Sequence, residues 1–415
     1  MVGAIFSVIL LLIVTAWIKP RSFSLDPVQS RNYLLGVVFR IIGTASYMYY
    51  AINLSGGSVD AFIYDNYAAV YAEYFKRWDF SPFTDKTLWR NGELFYTNFV
   101  AYPAALFMII TGNSMFGMYM LFSLVCFAGL VLLMKAFIIN YPALQQRYLA
   151  LLLFLFPALW FWTSTIGKDA FMFLGLGFIC YGIADKKLYY LRIVFGLAIL
   201  YAFRPPVAYM AAMAIAAFFI LNVRDVFSVR ILKVGLGTVL LLYILNTLSA
   251  QWGLEEFSGD SIATLQQGVL RNNDFGTGAL EQKSGGFTSI PRGVVDVLAR
   301  PFLWEGTNLL TLASAIEINF ALFLLLLNRR PLQRFLKDSL RHRLSTFVTA
   351  FVVIYVLSVG LFENNIGLIA RHRTIIFPFL FLMAYGYYYQ YHPVVNRLKR
   401  KIKPNPVRSH APSTA

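Results

Sequence analysis

The chain reads as a succession of apolar runs, most of them about twenty residues long and separated by short polar turns. That is the length a helix needs to cross the roughly 30 Å hydrocarbon layer of a bilayer. The runs cover 2–18, 33–53, 115–137, 148–164, 169–184, 189–204, 207–223, 233–249, 306–327, 344–362 and 374–391. They are continuous rather than alternating, so they read as helices and not as barrel strands. With 58% of residues hydrophobic and 13% charged, the pattern predicts an all-α, polytopic transmembrane bundle of about eleven spans. Residues 1–391 form one membrane domain in this reading, and the basic tail 392–415 is expected to be disordered. The first run lacks a basic leader and a small-residue cleavage site, so it reads as a retained helix.

A further run, 98–110, is too short to span, contains Pro103 and stops at Gly112-Asn113-Ser114. It suits an interfacial or re-entrant segment. If it does not cross, the loops sort by charge. One side then holds 23 Lys and Arg with four acids, and the other 12 with 15 acids. By the positive-inside rule the N-terminus is outside and the C-terminus inside, with outer loops at 54–114 and 250–305. The net charge of +16 is therefore an orientation signal attracted to anionic lipid, and it implies no nucleic-acid partner. Cys126 and Cys180 both lie inside apolar runs, so neither a disulfide framework nor a thiolate metal site is implied.

The outer face collects the unusual residues. The segment 55–96 carries Asp60, Asp65, Glu73, Asp79, Asp85 and Glu93 among many aromatics. Read as a helix, it puts Asp60, Tyr64, Tyr67 and Tyr71 on one face. Other outer turns hold Lys168-Asp169, Arg204-Pro205-Pro206 and Arg371-His372-Arg373, while the long loop carries Arg271, Lys283, Arg292, Arg300 and Glu305. Any one of these cations could be an interface anchor. Their recurrence on the side where the positive-inside rule disfavours them points to a shared anion site. Arginine grips a phosphate with two parallel hydrogen bonds, and lysine adds a point charge. An anion at that surface reads as a lipid-linked phosphate or diphosphate. Asp60 or Asp65 would then take the proton of an attacking hydroxyl. Two charges lie deeper, Arg40 and Glu317, and read as a structural pair unless Arg40 reaches the inner surface.

These features resemble two families. The acidic, aromatic outer loop, then Tyr102-Pro103 in a short run, then Phe116-Gly117 opening a long span, resemble polyprenyl-phosphate-sugar-dependent glycosyltransferases of the GT-C superfamily. The stretch Phe156-Pro157-Ala158-Leu159-Trp160-Phe161-Trp162-Thr163-Ser164 through Lys168-Asp169 is similar to an acidic turn of that group. Arg300-Pro301-Phe302-Leu303-Trp304-Glu305 and Ile366-Gly367 through Arg371-His372-Arg373 resemble Wzy-like polymerases of bacterial exopolysaccharide and O-antigen repeat units. The resemblance implies a general base at Asp60 or Asp65 and diphosphate-binding arginines among Arg204, Arg271, Arg292, Arg371 and Arg373. It implies a polyprenyl-linked sugar as partner, other polysaccharide-synthesis proteins beside it, and a bacterial inner-membrane location. No redox cofactor is needed, and Asp60, Asp65 and Asp169 leave room for a divalent cation. Tyr64, Tyr67, Trp78 and Trp89 are candidates to stack on sugar rings.

Two other classes stay open at this point. A transporter or flippase for a lipid-linked glycan would use the same anion chemistry, but it commonly shows internal repeats and a site reachable from both sides. Here no repeat is visible and the unusual charges gather on one face. A non-catalytic membrane subunit of a synthesis complex would use the outer charges to dock a partner.

Overall fold

A computed structural model describes residues 2–22, 27–55, 59–89, 99–141, 146–185, 189–221, 235, 289–306 and 308–388. The expected span at 233–249 apart from residue 235, most of the outer loop including Arg271 and Lys283, and the tail 392–415 lie outside the described residues.

The described residues form helices joined by turns, with no strand among them. In chain order these are α1 (Val2–Ser22), α2 (Pro27–Tyr49, continued by a π-helical turn, Tyr50–Leu54), α3 (Asp60–Lys76) and α4 (Ala101–Thr111). Then come α5 (Met115–Asn140), α6 (Gln146–Leu155), α7 (Pro157–Phe161), α8 (Lys168–Ala184), α9 (Tyr190–Phe203) and α10 (Pro205–Leu221). The last part holds α11 (Ile290–Ala299), α12 (Leu309–Leu327), α13 (Arg329–Asp338), α14 (Arg343–Phe362), α15 (Ile366–Arg373) and α16 (Phe377–Tyr385).

Among the described residues, four helices are long and apolar enough to cross a membrane: Gln29–Leu54, Met115–Asn140, Leu309–Leu327 and Arg343–Phe362. The bent pair α15 and α16, at 54° to each other, makes a fifth if its halves form one span. The first run folds into the 21-residue α1, and α8, α9 and α10 are helices of 17, 14 and 17 residues. The run 148–164 is divided because Pro157 has no N–H to continue α6 and instead opens α7. The short run 98–110 becomes α4, which stops where Gly112 turns left-handed at φ 60. Ser114 then caps α5, its hydroxyl accepting the Gly117 N–H at 3.1 Å.

The core is centred on α5, which packs against α8, α1, α2 and α4. Its crossing with α8 is close because the contact residues lack side chains. A Cβ on Gly129 would lie 2.4 Å from the Phe173 carbonyl carbon, and one on Gly177 would lie 2.6 Å from the Gly129 carbonyl oxygen. On its other side α8 meets α9 through Gly175 and Gly196. This sandwich brings the start of α8 to the end of α9, so Lys168 and Asp169 meet Arg204.

The pairing of Arg40 with Glu317 does not occur. Arg40 is fully buried, donates to Thr163 Oγ1 at 2.6 Å and lies 5.8 Å from the Phe127 ring centroid. Nor does it reach a surface. Glu317 instead faces Arg373 and the Ala158 N–H of α7. The reason is topological: α2 packs on α5, α6 and α7, whereas α12 packs mainly on α16.

Candidate functional site

Five segments remote in sequence converge at one end of the bundle. They are the first turn of α3 (Asp60, Tyr64), the first turn of α8 (Lys168, Asp169), the α9–α10 junction (Arg204), the end of α14 (Glu363) and α15 (Arg371, His372). Local rules place each group. Arg204 precedes Pro205, which removes the helical option at Arg204 and leaves it at φ −155, ψ 82 between two helices. Glu363 ends α14 in extended backbone. Asn365 then restarts the chain, its side chain accepting the Gly367 and Leu368 N–H groups at 2.9 and 3.3 Å.

The centre of the cluster is Asp169, only 4% exposed. Its Oδ2 accepts Arg371 Nε at 2.8 Å, and its Oδ1 lies 3.9 Å from Arg204 Nη1. Arg371 also reaches outward, donating Nη1 to Asp60 Oδ2 at 3.2 Å. The Asp60 side chain is 57% exposed, so this outer pair is wet while the inner one is dry. Arg204 donates to His372 Nε2. The imidazole is then neutral with its proton on Nδ1, which lies 3.8 Å from Glu363 Oε2. Tyr355 fixes the turn by donating to the His372 carbonyl at 2.9 Å.

Most of these groups line a cavity of about 470 Å³. Asp60, Tyr64, Lys168, Arg204, Glu363, Arg371 and His372 supply its charged and polar lining. Val207, Met210 and Met213 of α10 and Val359 and Phe362 of α14 supply apolar lining. Burial, with the like charges of Arg204 and Arg371, pushes Lys168 down to about 8. An incoming anion would relieve that repulsion. Burial and then the charge of Asp60 push Tyr64 up to about 12, so its hydroxyl stays a donor at neutral pH.

The structure separates the residues expected together. Asp60, Tyr64, Lys168, Arg204 and Arg371 line the cavity, with Asp169 directly behind Arg371. Asp65 does not line it. Five residues on from Asp60, it points about 140° around the helix. There it is half-buried, Oδ1 has no hydrogen-bond partner among the described residues, and burial raises its pKa. Tyr67 and Tyr71 turn toward α4, not the cavity: their rings are 6.2 Å apart, and Tyr71 stacks on Tyr102 and donates to the Leu88 carbonyl at 3.0 Å. Trp89 is structural, its Nε1 donating to the Pro82 carbonyl at 2.9 Å. Arg292 is exposed on α11 away from the cavity lining. Arg373 is buried and donates to the Val297 and Arg300 carbonyls and to Ser314 Oγ, which ties α15 to α11 and α12. Arg271 lies outside the described residues.

Sequence reasoning missed His372, Glu363, Met210 and Met213 as cavity residues. The available signals were slight: a histidine between two arginines, and Met210 and Met213 one helical turn apart. Among the described residues no group of three His, Cys, Asp or Glu side chains comes together to hold a metal ion. Asp60 and Asp169 both face Arg371, while Asp65 is on another side of α3.

Comparison with known protein families, with characterised proteins and with solved structures finds no match to this chain.

Proposed function

We propose that the chain is an integral membrane glycosyltransferase or repeat-unit polymerase of cell-surface polysaccharide assembly, exopolysaccharide or O-antigen. It would use a polyprenyl-(di)phosphate-linked sugar donor at the outer face of the bacterial inner membrane. The observation that carries this reading is the mixed lining of the cavity, which combines the cations Lys168, Arg204 and Arg371 with the apolar Val207, Met210, Met213, Val359 and Phe362. Such a lining suits a ligand with an anionic head and a hydrocarbon body. The charge sorting along the sequence supports the accompanying topology of about eleven spans with the N-terminus outside and the C-terminus inside.

In this reading the three cations hold the (di)phosphate, and Asp60, a cavity-lining carboxylate beside them, acts as base. A phosphate arriving at Arg371 competes with Asp60 for the guanidinium and so frees the carboxylate. Asp60 then takes the proton of the acceptor hydroxyl as its oxygen bonds to the anomeric carbon. The bond from that carbon to the phosphate oxygen breaks, and Arg204, Arg371 and Lys168 take up the charge that develops there. Asp169 positions Arg371 and does not touch substrate. The chemistry calls for no cofactor; if a divalent cation were used, Asp60 would be a carboxylate in the cavity to hold it, and the ion would supply further positive charge for the phosphate. Membrane lipid and other polysaccharide-synthesis proteins are the accompanying partners.

The test is incubation of the purified protein with a polyprenyl-diphosphate oligosaccharide. Chain growth with release of the lipid carrier is expected, together with its loss in Asp60→Asn and Arg204→Gln. Full turnover by Asp60→Asn removes that acid from the mechanism. Movement of intact lipid-linked glycan across a liposome without bond cleavage makes the protein a carrier instead.

A further inference from the structure

Among the described residues, Asn113 and Trp78 are the non-glycine residues that turn left-handed. Helix α3 ends in a Schellman motif, in which the Trp78 N–H donates to the Phe75 carbonyl and the Asp79 N–H to the Tyr74 carbonyl, both at 3.1 Å. The residue at such a stop turns left-handed, which disfavours any side chain with a Cβ. Helix α4 uses Gly112 there, at φ 60; α3 uses a tryptophan at φ 58. No burial offsets this choice, because Trp78 is 83% exposed.

The loop that follows is firmly built. Ser81 N–H donates to Asp79 Oδ1 at 2.9 Å, and Trp89 Nε1 and Tyr102 Oη converge on the carbonyl of buried Pro82, each at 2.9 Å. Phe75 stacks on Phe83 with centroids 5.6 Å apart. This scaffold holds Trp78 and Phe80 outward, with ring centroids 6.4 Å apart and Phe80 52% exposed. Glu73, Asp79 and Asp85, and likewise Lys76, Arg77 and Lys86, are exposed within a few residues of the rings in sequence. These charges balance three against three, and carboxylates and cations alike bond sugar hydroxyls, while an indole face suits the C–H face of a pyranose. The location fits as well. Helix α3 is 17 residues long, so Trp78 stands about 25 Å along it from Asp60 at 1.5 Å per residue, several sugar units away.

We infer that Trp78, with Phe80 beside it, is a stacking subsite for the acceptor glycan, holding the growing chain several sugars away from the bond formed at Asp60. The inference rests on the cavity being a glycosyl-transfer site, and the experiment separates the two. Trp78→Gly removes the ring and relieves the left-handed backbone, so its thermal unfolding should match or exceed the parent. Its product is nevertheless expected to be shorter, with mean chain length down about fivefold, the effect of about 1 kcal/mol of lost acceptor binding at 1.4 kcal/mol per factor of ten. Trp78→Phe, which keeps a ring, should recover most of that length. Unchanged length in Trp78→Gly, with synthesis abolished in Arg204→Gln, overturns the subsite and leaves the cavity reading standing. Undiminished synthesis in Arg204→Gln overturns both. Brominated phosphatidylcholine vesicles supply the remaining arm: quenching of the fluorescence that the parent has and Trp78→Gly lacks identifies a membrane anchor and overturns the glycan subsite.

Discussion

Arg371 and Arg373 stand two residues apart on one short helix and serve opposite purposes. Arg371 faces formal negative charge, with Asp169 at 2.8 Å behind it and Asp60 at 3.2 Å in front. Arg373 is turned about 200° from it and is 1% exposed; its hydrogen bonds go to neutral oxygens, two carbonyls and the Ser314 hydroxyl, with the Glu317 carboxyl as a charged neighbour. A guanidinium held by carboxylates at a cavity wall can exchange one of them for an incoming phosphate at little net change. One buried at 1% exposure and shared between carbonyls at the end of α11 and a hydroxyl of α12 is committed to the fold. The pattern Arg-x-Arg therefore carries one binding residue and one structural rivet.

The largest effect that should follow is at the rivet. Arg373→Met removes the donor that joins α15 to α11 and α12, and a loss of about 3–5 kcal/mol is expected, read by thermal or denaturant unfolding in detergent. If Arg371→Met costs as much, the distinction between the two arginines fails. For Arg371→Met a loss of roughly 1–3 kcal/mol is expected, because buried Asp169 loses its nearest cation and keeps the more distant Arg204 at 3.9 Å. Neutralising the stranded acid should restore part of it, so Arg371→Met with Asp169→Asn should be more stable than Arg371→Met alone. Simple additivity in that cycle would dissolve the pairing.

A third test uses pH. Burial and two neighbouring arginines hold Lys168 at about 8, below its ordinary value near 10.5. The unfolded chain therefore binds the proton more tightly than the fold between about 8 and 10.5. Stability gains from this residue as pH rises through that window, and its penalty is fully present below it. Anion binding runs the other way. Affinity for a polyprenyl phosphate should fall as pH is raised past about 8, and Lys168→Met should flatten that fall; an unchanged slope in the variant removes Lys168 from the site. The smallest stability effects are expected at the acids of α3. Asp60→Asn, at an exposed position, should shift stability by no more than about 0.5 kcal/mol while abolishing transfer. Asp65→Asn should keep transfer. Its carboxyl is raised by burial, so ionised Asp65 weighs against the fold at neutral pH and the amide should be no less stable than the parent.

Much of the site was legible one residue at a time. Lys168, Arg204 and Arg371 stood out because charges at the ends of apolar runs are expensive, and Asp60 because it opens a helix just after such a run. What could not be read was direction. Asp60 and Asp65 look equivalent in the sequence, yet 140° of helical rotation sends one into the cavity and the other toward the body of the bundle. Tyr67 and Tyr71 share a face with Asp60 by spacing, but α4 claims that face for packing.

The sequence by itself determined a helical membrane protein, because runs of this length and apolarity leave the backbone no other way to satisfy its hydrogen bonds. It also determined the local stops and turns at Pro157, Pro205, Gly112 and Asn365, where chemistry acts within a few residues. Only the tertiary structure decided which charges meet. Asp169 and Arg371 are about 200 residues apart and Asp60 and Arg371 more than 300, and their contact depends on how closely α8 can approach α5 and α9. That approach is set by glycines whose partners no local pattern reveals.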